Sequence, residues 1–265
     1  MVRKKQIKQP QVFDLDSSEW YLNRELTWLA FNKRVLAEGK DRRVPLLERV
    51  FYIAVVGSNL DEFYMKRIGG LKQQVGAGVK KKTVDGMLPQ EQIDASYVIA
   101  QEILEEQRII LEELRKLLKN EGISFCSYEE LTVAQKKDMD LYFSKEIYPL
   151  LTPQGIDPAH PFPFISNLSL NLLVATSEGV NGTVFLNRVK IPPGVGVPRF
   201  LRVGRKHLYL TFEELVAHNL KDLFPGLRIH SYEYFRVTRN AVTDRMEEQA
   251  NDLLVMIESA LRDRK

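Results

Sequence analysis

The groups in this sequence best suited to act as nucleophile or base near neutral pH are four histidines, His160, His207, His218 and His230, and one cysteine, Cys126. Their spacing assembles no site. The histidines all fall in the second half of the chain, scattered among loops and element ends, where an imidazole is most simply structural or solvated. No Cys/His group has zinc-like spacing, and no Gly-rich loop with a following Lys, no Gly-x-Ser-x-Gly and no His-Glu-x-x-His occurs. Cys126 follows Phe125 in a short apolar run, which favours a buried, inert thiol. Lys80-Lys81-Lys82 sits in a Gly-rich stretch and reads as a solvated loop.

Two segments carry more information. Asn23 to Leu36 interleaves charges with Trp28 and Phe31, which suits a helix with one core face and one solvated face. Gly57-Ser58-Asn59-Leu60-Asp61-Glu62-Phe63-Tyr64 places a small, polar interruption between two apolar helical patterns. One reading is a helix restart, with Ser58 and Asp61, or Asn59 and Glu62, as a capping pair. The other is recognition. An asparagine amide presents a donor beside an acceptor to whatever group reaches it.

Positioning these segments requires helices first. Asp16-Ser17-Ser18-Glu19 offers N-caps ahead of Tyr21, Leu22, Leu26, Leu29, Val35 and Leu36, predicting a helix that ends near Gly39. Pro45 opens a second helix that runs to Gly57-Ser58-Asn59, and helical spacing resumes through Leu71. Gly76 to Gly86 is a loop. A long amphipathic helix follows from about Pro89 to Asn120. Beyond Gly122 the texture changes: a short strand at Ile123 to Ser127, a helix at Thr132 to Tyr148, and a Pro-rich, irregular Thr152 to Phe164. Strands are predicted at Leu168 to Thr176, Thr183 to Ile191, Phe200 to Val203, Leu208 to Thr211 and Arg228 to Thr238, with helices at Phe212 to Asn219 and about Asp244 to Arg264. The fold class is α+β multidomain: a ragged terminus over 1–18, an antiparallel helical bundle over 19–122 and an α+β domain over 123–265.

Composition sets outer limits. A chain of 265 residues with 44% hydrophobic and 28% charged residues can bury two ordinary cores. A net charge of +3 compels no nucleic-acid partner, so anion binding must come from local patches. One cysteine precludes an internal disulfide and suits a reducing compartment. Met1 to Gln9 is basic and polar with no apolar core after it, and Val50 to Val56 is too short to span a bilayer. The expected location is cytoplasmic, at most peripheral to a membrane, with no transmembrane segment.

Asn23-Arg24-Glu25-Leu26-Thr27-Trp28-Leu29-Ala30-Phe31-Asn32, Val44-Pro45-Leu46-Leu47-Glu48-Arg49 and Ser58-Asn59-Leu60-Asp61-Glu62-Phe63, in that order, resemble the opening of the long, histidine-phosphorylated bacterial polyphosphate kinases. Leu151-Thr152-Pro153 with Asp157 to Phe164, and Phe235-Arg236-Val237-Thr238-Arg239-Asn240-Ala241, resemble the family's next domain. A serine is more usual in the family than Thr27 or Gly57. The resemblance implies an enzyme that reversibly moves the terminal phosphate of ATP onto inorganic polyphosphate through a phosphohistidine, with Mg2+. It implies a head domain over 123–265 that makes homo-oligomer contacts, and C-terminal domains, not contained in this sequence, that carry the chemistry. By the same resemblance no catalytic residue, metal ligand or tightly bound cofactor is assigned to this chain. Asn59 is its adenine contact, and the chain alone is expected to be inactive. A freestanding nucleotide- or polyphosphate-binding module and a structural dimerisation module are the alternatives.

Overall fold

A computed structural model describes residues 14–156, 162–179, 182–192, 196–204 and 206–240. The predicted helix from Asp244 to Arg264, His160 and the Asp157 to Pro161 part of the Pro-rich stretch lie outside the described residues.

The first helix, α1 (Arg24–Lys40), starts later than the Asp16 to Glu19 caps suggested. Ser17 makes no capping bond and Ser18–Trp20 is a single 3-10 turn, whereas Asn23 Oδ1 accepts from the amides of Glu25 at 2.9 Å and Leu26 at 3.0 Å. Tyr21 and Leu22 are accordingly exposed rather than on the buried face. The helix α2 (Leu46–Phe63) runs straight through Gly57-Ser58-Asn59 and continues through a π turn, Tyr64–Ile68, into α3 (Gly69–Gly76). The expected interruption is therefore absent, and so is the capping role at Ser58 or Asn59. A helical glycine costs about 1 kcal/mol against alanine. Here tertiary packing overrides it: Ile53, Val56, Leu60 and Phe63 are all buried, and Gln107 of α4 (Pro89–Asn120) lies against Gly57 while its Nε2 donates to the Ile53 carbonyl at 2.8 Å. The four helices share one core that includes Leu29, Leu36, Val56, Phe63, Ile103 and Leu114.

The second core joins two sheets. β1 (Ser124–Phe125) lies parallel to β6 (Leu208–Thr211), which pairs antiparallel with β5 (Phe200–Arg202). The larger sheet, order β2-β4-β3-β7, is antiparallel and comprises β2 (Pro153–Ile156), β3 (Asn171–Ser177), β4 (Val184–Lys190) and β7 (Arg228–Phe235). β2 corrects the expectation of irregular chain from Thr152. Pro153 is its first residue and β2 is an edge strand, where a missing amide hydrogen is tolerated. Leu172, Val174 and Val189 fill the inner face. α5 (Val133–Tyr142), opened by a Thr132–Gln135 capping box, α6 (Phe212–His218) and the short α7 (Leu220–Leu223) complete the α+β part. No helix among the described residues is long and apolar enough to cross a membrane.

Candidate functional site

Helix α1 and helix α2 run side by side, so the two segments singled out in the sequence meet. Trp28 stacks on Phe63 with ring centroids 5.0 Å apart. Between them and the loop end of the hairpin, Asn59 Nδ2 donates to Asn32 Oδ1 at 3.0 Å, and Asn32 Nδ2 donates to the Val56 carbonyl at 3.3 Å. Asn32 is fully buried, at 0% exposure, while Asn59 is half-buried. Among the described residues no donor reaches Asn59 Oδ1. Tyr52 and Val55, two turns and one turn earlier on the same side of α2, are half-buried apolar neighbours.

Two residues after Asn59, Asp61 is tied to the α+β part. Arg236, immediately after β7, binds its carboxylate through both terminal nitrogens, Nη1 at 3.0 Å from Oδ2 and Nη2 against Oδ1. The Asp61 side chain is 17% exposed and that of Arg236 49%. Around this pair the two parts interlock: Asn167 Nδ2 donates to Met65 Sδ at 2.9 Å, and Asn240 packs on Gly69, where a Cβ would meet it at 2.9 Å, while Arg239 braces the α+β side by donating from N to Asn167 Oδ1 at 3.0 Å and from Nε to the Ile165 carbonyl at 2.8 Å. Beside this junction opens a cleft of about 600 Å³, lined by Tyr64, Lys72, Tyr97 and Arg239 among others. Burial, with Tyr97 adding to it, raises the Tyr64 hydroxyl above its ordinary pKa.

At the start of α1, Glu25 is buried, with Oε1 held by Arg24 at 2.7 Å and Oε2 3.6 Å from Arg67 Nε in the π turn. Asn23, besides capping α1, donates from Nδ2 to Asp85 Oδ2 at 2.9 Å. Burial would raise the Asp85 carboxyl, but hydrogen bonds from Thr83 and Asn23 outweigh it and hold the group below its ordinary value. Lys81 and Lys82 line a shallow depression beside Glu25 and Asp85.

The described histidines are engaged elsewhere. His218 stacks on Tyr128, and His207 Nδ1 lies 3.5 Å from the Tyr209 hydroxyl. His230 Nε2 is 2.8 Å from Ser177 Oγ, an arrangement that superficially suggests an activated serine. The Ser177 proton, however, goes to the Gly179 carbonyl at 2.8 Å, so Nε2 is the donor in that pair and no general base is present. Burial pushes the Cys126 thiol above its ordinary pKa, which disfavours the thiolate. Among the described residues no group of three or more His, Cys, Asp or Glu side chains is arranged to hold a metal ion.

Asn32 carried no role in the sequence reading, and Asp61 figured there only as a capping partner of Ser58, not as the partner of Arg236. For Asn32 a signal existed, since a polar residue falls at the core spacing set by Leu29 and Leu36. For Asp61 none did, because its partner is 175 residues away.

The Polyphosphate kinase N-terminal domain model matches residues 21–126 and the Polyphosphate kinase middle domain model residues 134–265. A polyphosphate kinase of Thermosynechococcus vestitus is 45% identical over 97% of this chain, and one of Synechocystis sp. 42% identical over 95%; in both cases the chain spans 36% of the relative's length. The crystal structure of polyphosphate kinase from Porphyromonas gingivalis superposes with a TM-score of 0.71 at 25% identity, over 83% of this chain and 33% of that one.

Proposed function

The chain belongs to the polyphosphate kinase family, and from that premise we propose that it forms the N-terminal portion of an enzyme that transfers the terminal phosphate of ATP reversibly to inorganic polyphosphate. In this reading α1 and α2 provide the adenine side of the nucleotide site, with Asn59 contacting the base. The residues from about 123 onward act as a separately folded head domain that joins subunits in a homo-oligomer. The phosphate-transferring histidine and the groups that hold Mg2+ come from outside the residues described. Phosphoryl transfer depends on a nucleophile in line with the γ-phosphate and on cations that spread its charge.

The observation that carries the reading is the amide of Asn59. It is half-buried, oriented by a buried neighbour, and its carbonyl is unengaged among the described residues. A helix-internal asparagine with no capping duty and a free acceptor beside apolar side chains is suited to a planar heterocycle that carries an amino group. Photolabelling of the full-length enzyme with an azido-adenine analogue of ATP tests it. Label that maps to peptides of α1 or α2 and is competed by ATP supports the reading. ATP-competed label confined to other parts of the enzyme overturns it.

A further inference from the structure

Asn32 sets which way round the Asn59 amide is held, and we infer that it thereby determines the preference for adenine over guanine. The inference rests on the adenine-side reading above.

The two ends of a side-chain amide have opposite hydrogen-bonding character, and a half-turn about the last torsion exchanges them. The neighbours of Asn32 remove that freedom. Its partner on one side is the Val56 backbone carbonyl, at 3.3 Å, which can only accept. Asn32 must therefore turn its NH2 group toward Val56 and its Oδ1 toward Asn59. Oδ1 can only accept in turn, so Asn59 must present Nδ2 to it, at 3.0 Å. Complete burial of Asn32 excludes water as a substitute partner for either end. The orientation is thus fixed by a carbonyl two steps away.

One hydrogen of Asn59 Nδ2 is committed to Asn32, which leaves Oδ1 and the second hydrogen. That pair matches adenine, whose N6 amino group donates beside a ring nitrogen that accepts. Guanine carries the acceptor O6 at the position of N6, so its oxygen would face Asn59 Oδ1. With the amide turned round, the order would reverse and guanine would be the better fit. Asn32 is in this sense a positioning residue: it touches no ligand, and acts through Asn59.

The test is steady-state kinetics of the full-length enzyme with ATP and GTP for the wild type, Asn59→Ala and Asn32→Leu. Leucine has the same branching and number of side-chain heavy atoms as asparagine, though it is bulkier, and it removes both hydrogen bonds. Asn32→Leu is expected to reduce the kcat/KM ratio for ATP over GTP on the order of tenfold, within the range of a lost bidentate base contact. The change should fall in KM, with kcat for ATP unaltered, which a general loss of folding would not reproduce. Asn59→Ala should lower the same ratio. If Asn59→Ala leaves the ratio unchanged, the adenine reading itself fails and takes the inference with it. If Asn59→Ala lowers the ratio and a folded Asn32→Leu does not, the adenine contact stands and the role of Asn32 is overturned. Should Asn32→Leu not fold, a crystal structure of the wild-type enzyme with an ATP analogue decides. N6 on Asn59 Oδ1, with Nδ2 still on Asn32, supports the inference; an Asn59 amide turned away from Asn32 overturns it.

Discussion

Asn59 is bound to Asn32 by a 3.0 Å hydrogen bond whose acceptor lies fully inside the helical core, so the candidate ligand residue is also a structural one. A residue that only contacts a nucleotide would, when replaced by alanine, raise the KM for ATP and leave thermal stability nearly unchanged. The bond changes that expectation. Truncation leaves Asn32 Oδ1 buried without a donor, which costs about 1–3 kcal/mol. Urea denaturation of Asn59→Ala should show that loss alongside the weakened ATP binding. Unchanged stability would mean that the Asn32–Asn59 bond is not formed in solution.

The Asp61–Arg236 pair is bidentate but half open to water on the arginine side, so solvent screening limits it. A double-mutant cycle with Asp61→Ala and Arg236→Ala should give a coupling of about 0.5–1 kcal/mol that declines as salt is raised. Additive effects of the two substitutions would show that the pair does not hold the helices to β7.

Asn23 has two duties, capping α1 through Oδ1 and donating to Asp85 through Nδ2. Asn23→Ala removes both and should lower stability by about 1–2 kcal/mol. Asn23→Asp keeps a capping acceptor but sets a carboxylate against that of Asp85. It should therefore be destabilising near pH 7 and recover as acid protonates one of the two groups. A pH-independent defect in Asn23→Asp, followed by urea melts at several pH values, would count against the contact with Asp85.

In the turn between α1 and α2, Asp41 accepts hydrogen bonds from the side chain and amide of Arg43, which lower its carboxyl from 3.8 to about 2. Because the folded value is depressed, the contribution of this contact is present above pH 3.8 and disappears as the pH falls through about 2. Carboxyl-detected NMR should find Asp41 titrating near pH 2, and Arg43→Gln should return it toward 3.8. A carboxyl that titrates at its ordinary value in the wild type would show that the contact is not held.

Incubated alone with γ-labelled ATP and Mg2+, the 265-residue chain is expected to acquire no acid-labile label. Among the described residues His218 is stacked on Tyr128 and His230 is bonded to Ser177, so both imidazoles are engaged within the fold, whereas phosphoryl transfer needs a nucleophile aligned with the γ-phosphate and cations around it. Acid-labile, base-stable phosphate on the purified chain would refute this and reopen the assignment of the histidines.

Much of the helical part was legible because its signals are local. The long pattern from Pro89 to Asn120 gave α4 with both ends in place, and Thr132 marked the start of α5. The errors arose where tertiary packing outweighed local preference. Gly57 read as a break because glycine disfavours helix, yet Gln107 packs on it and its neighbours are core. Asp16 to Glu19 read as caps because their residue types suit the role, whereas Asn23 has the geometry. Leu168 adopts a positive φ of 55°, so β3 begins at Asn171 rather than at the predicted Leu168. Asn59 was singled out from its motif, but its orientation depends on Asn32 and Val56, which only the packing of α1 on α2 brings together.

The link from Asp61 to Arg236 also bears on the order in which the molecule assembles. Helices α1 and α2 are neighbours in sequence and can pair early, since closing their short connection costs little chain entropy. Arg236 reaches Asp61 only after an antiparallel sheet with widely separated strands has formed, the slow class of contact. During that interval Asn59 is already bonded to Asn32 while the carboxylate one half-turn away still lacks its counter-ion. A chain released from denaturant should therefore recover the Trp28–Phe63 environment in a fast phase and the Asp61 contact in a slow one, so that the side of α2 opposite Asn59 is completed last.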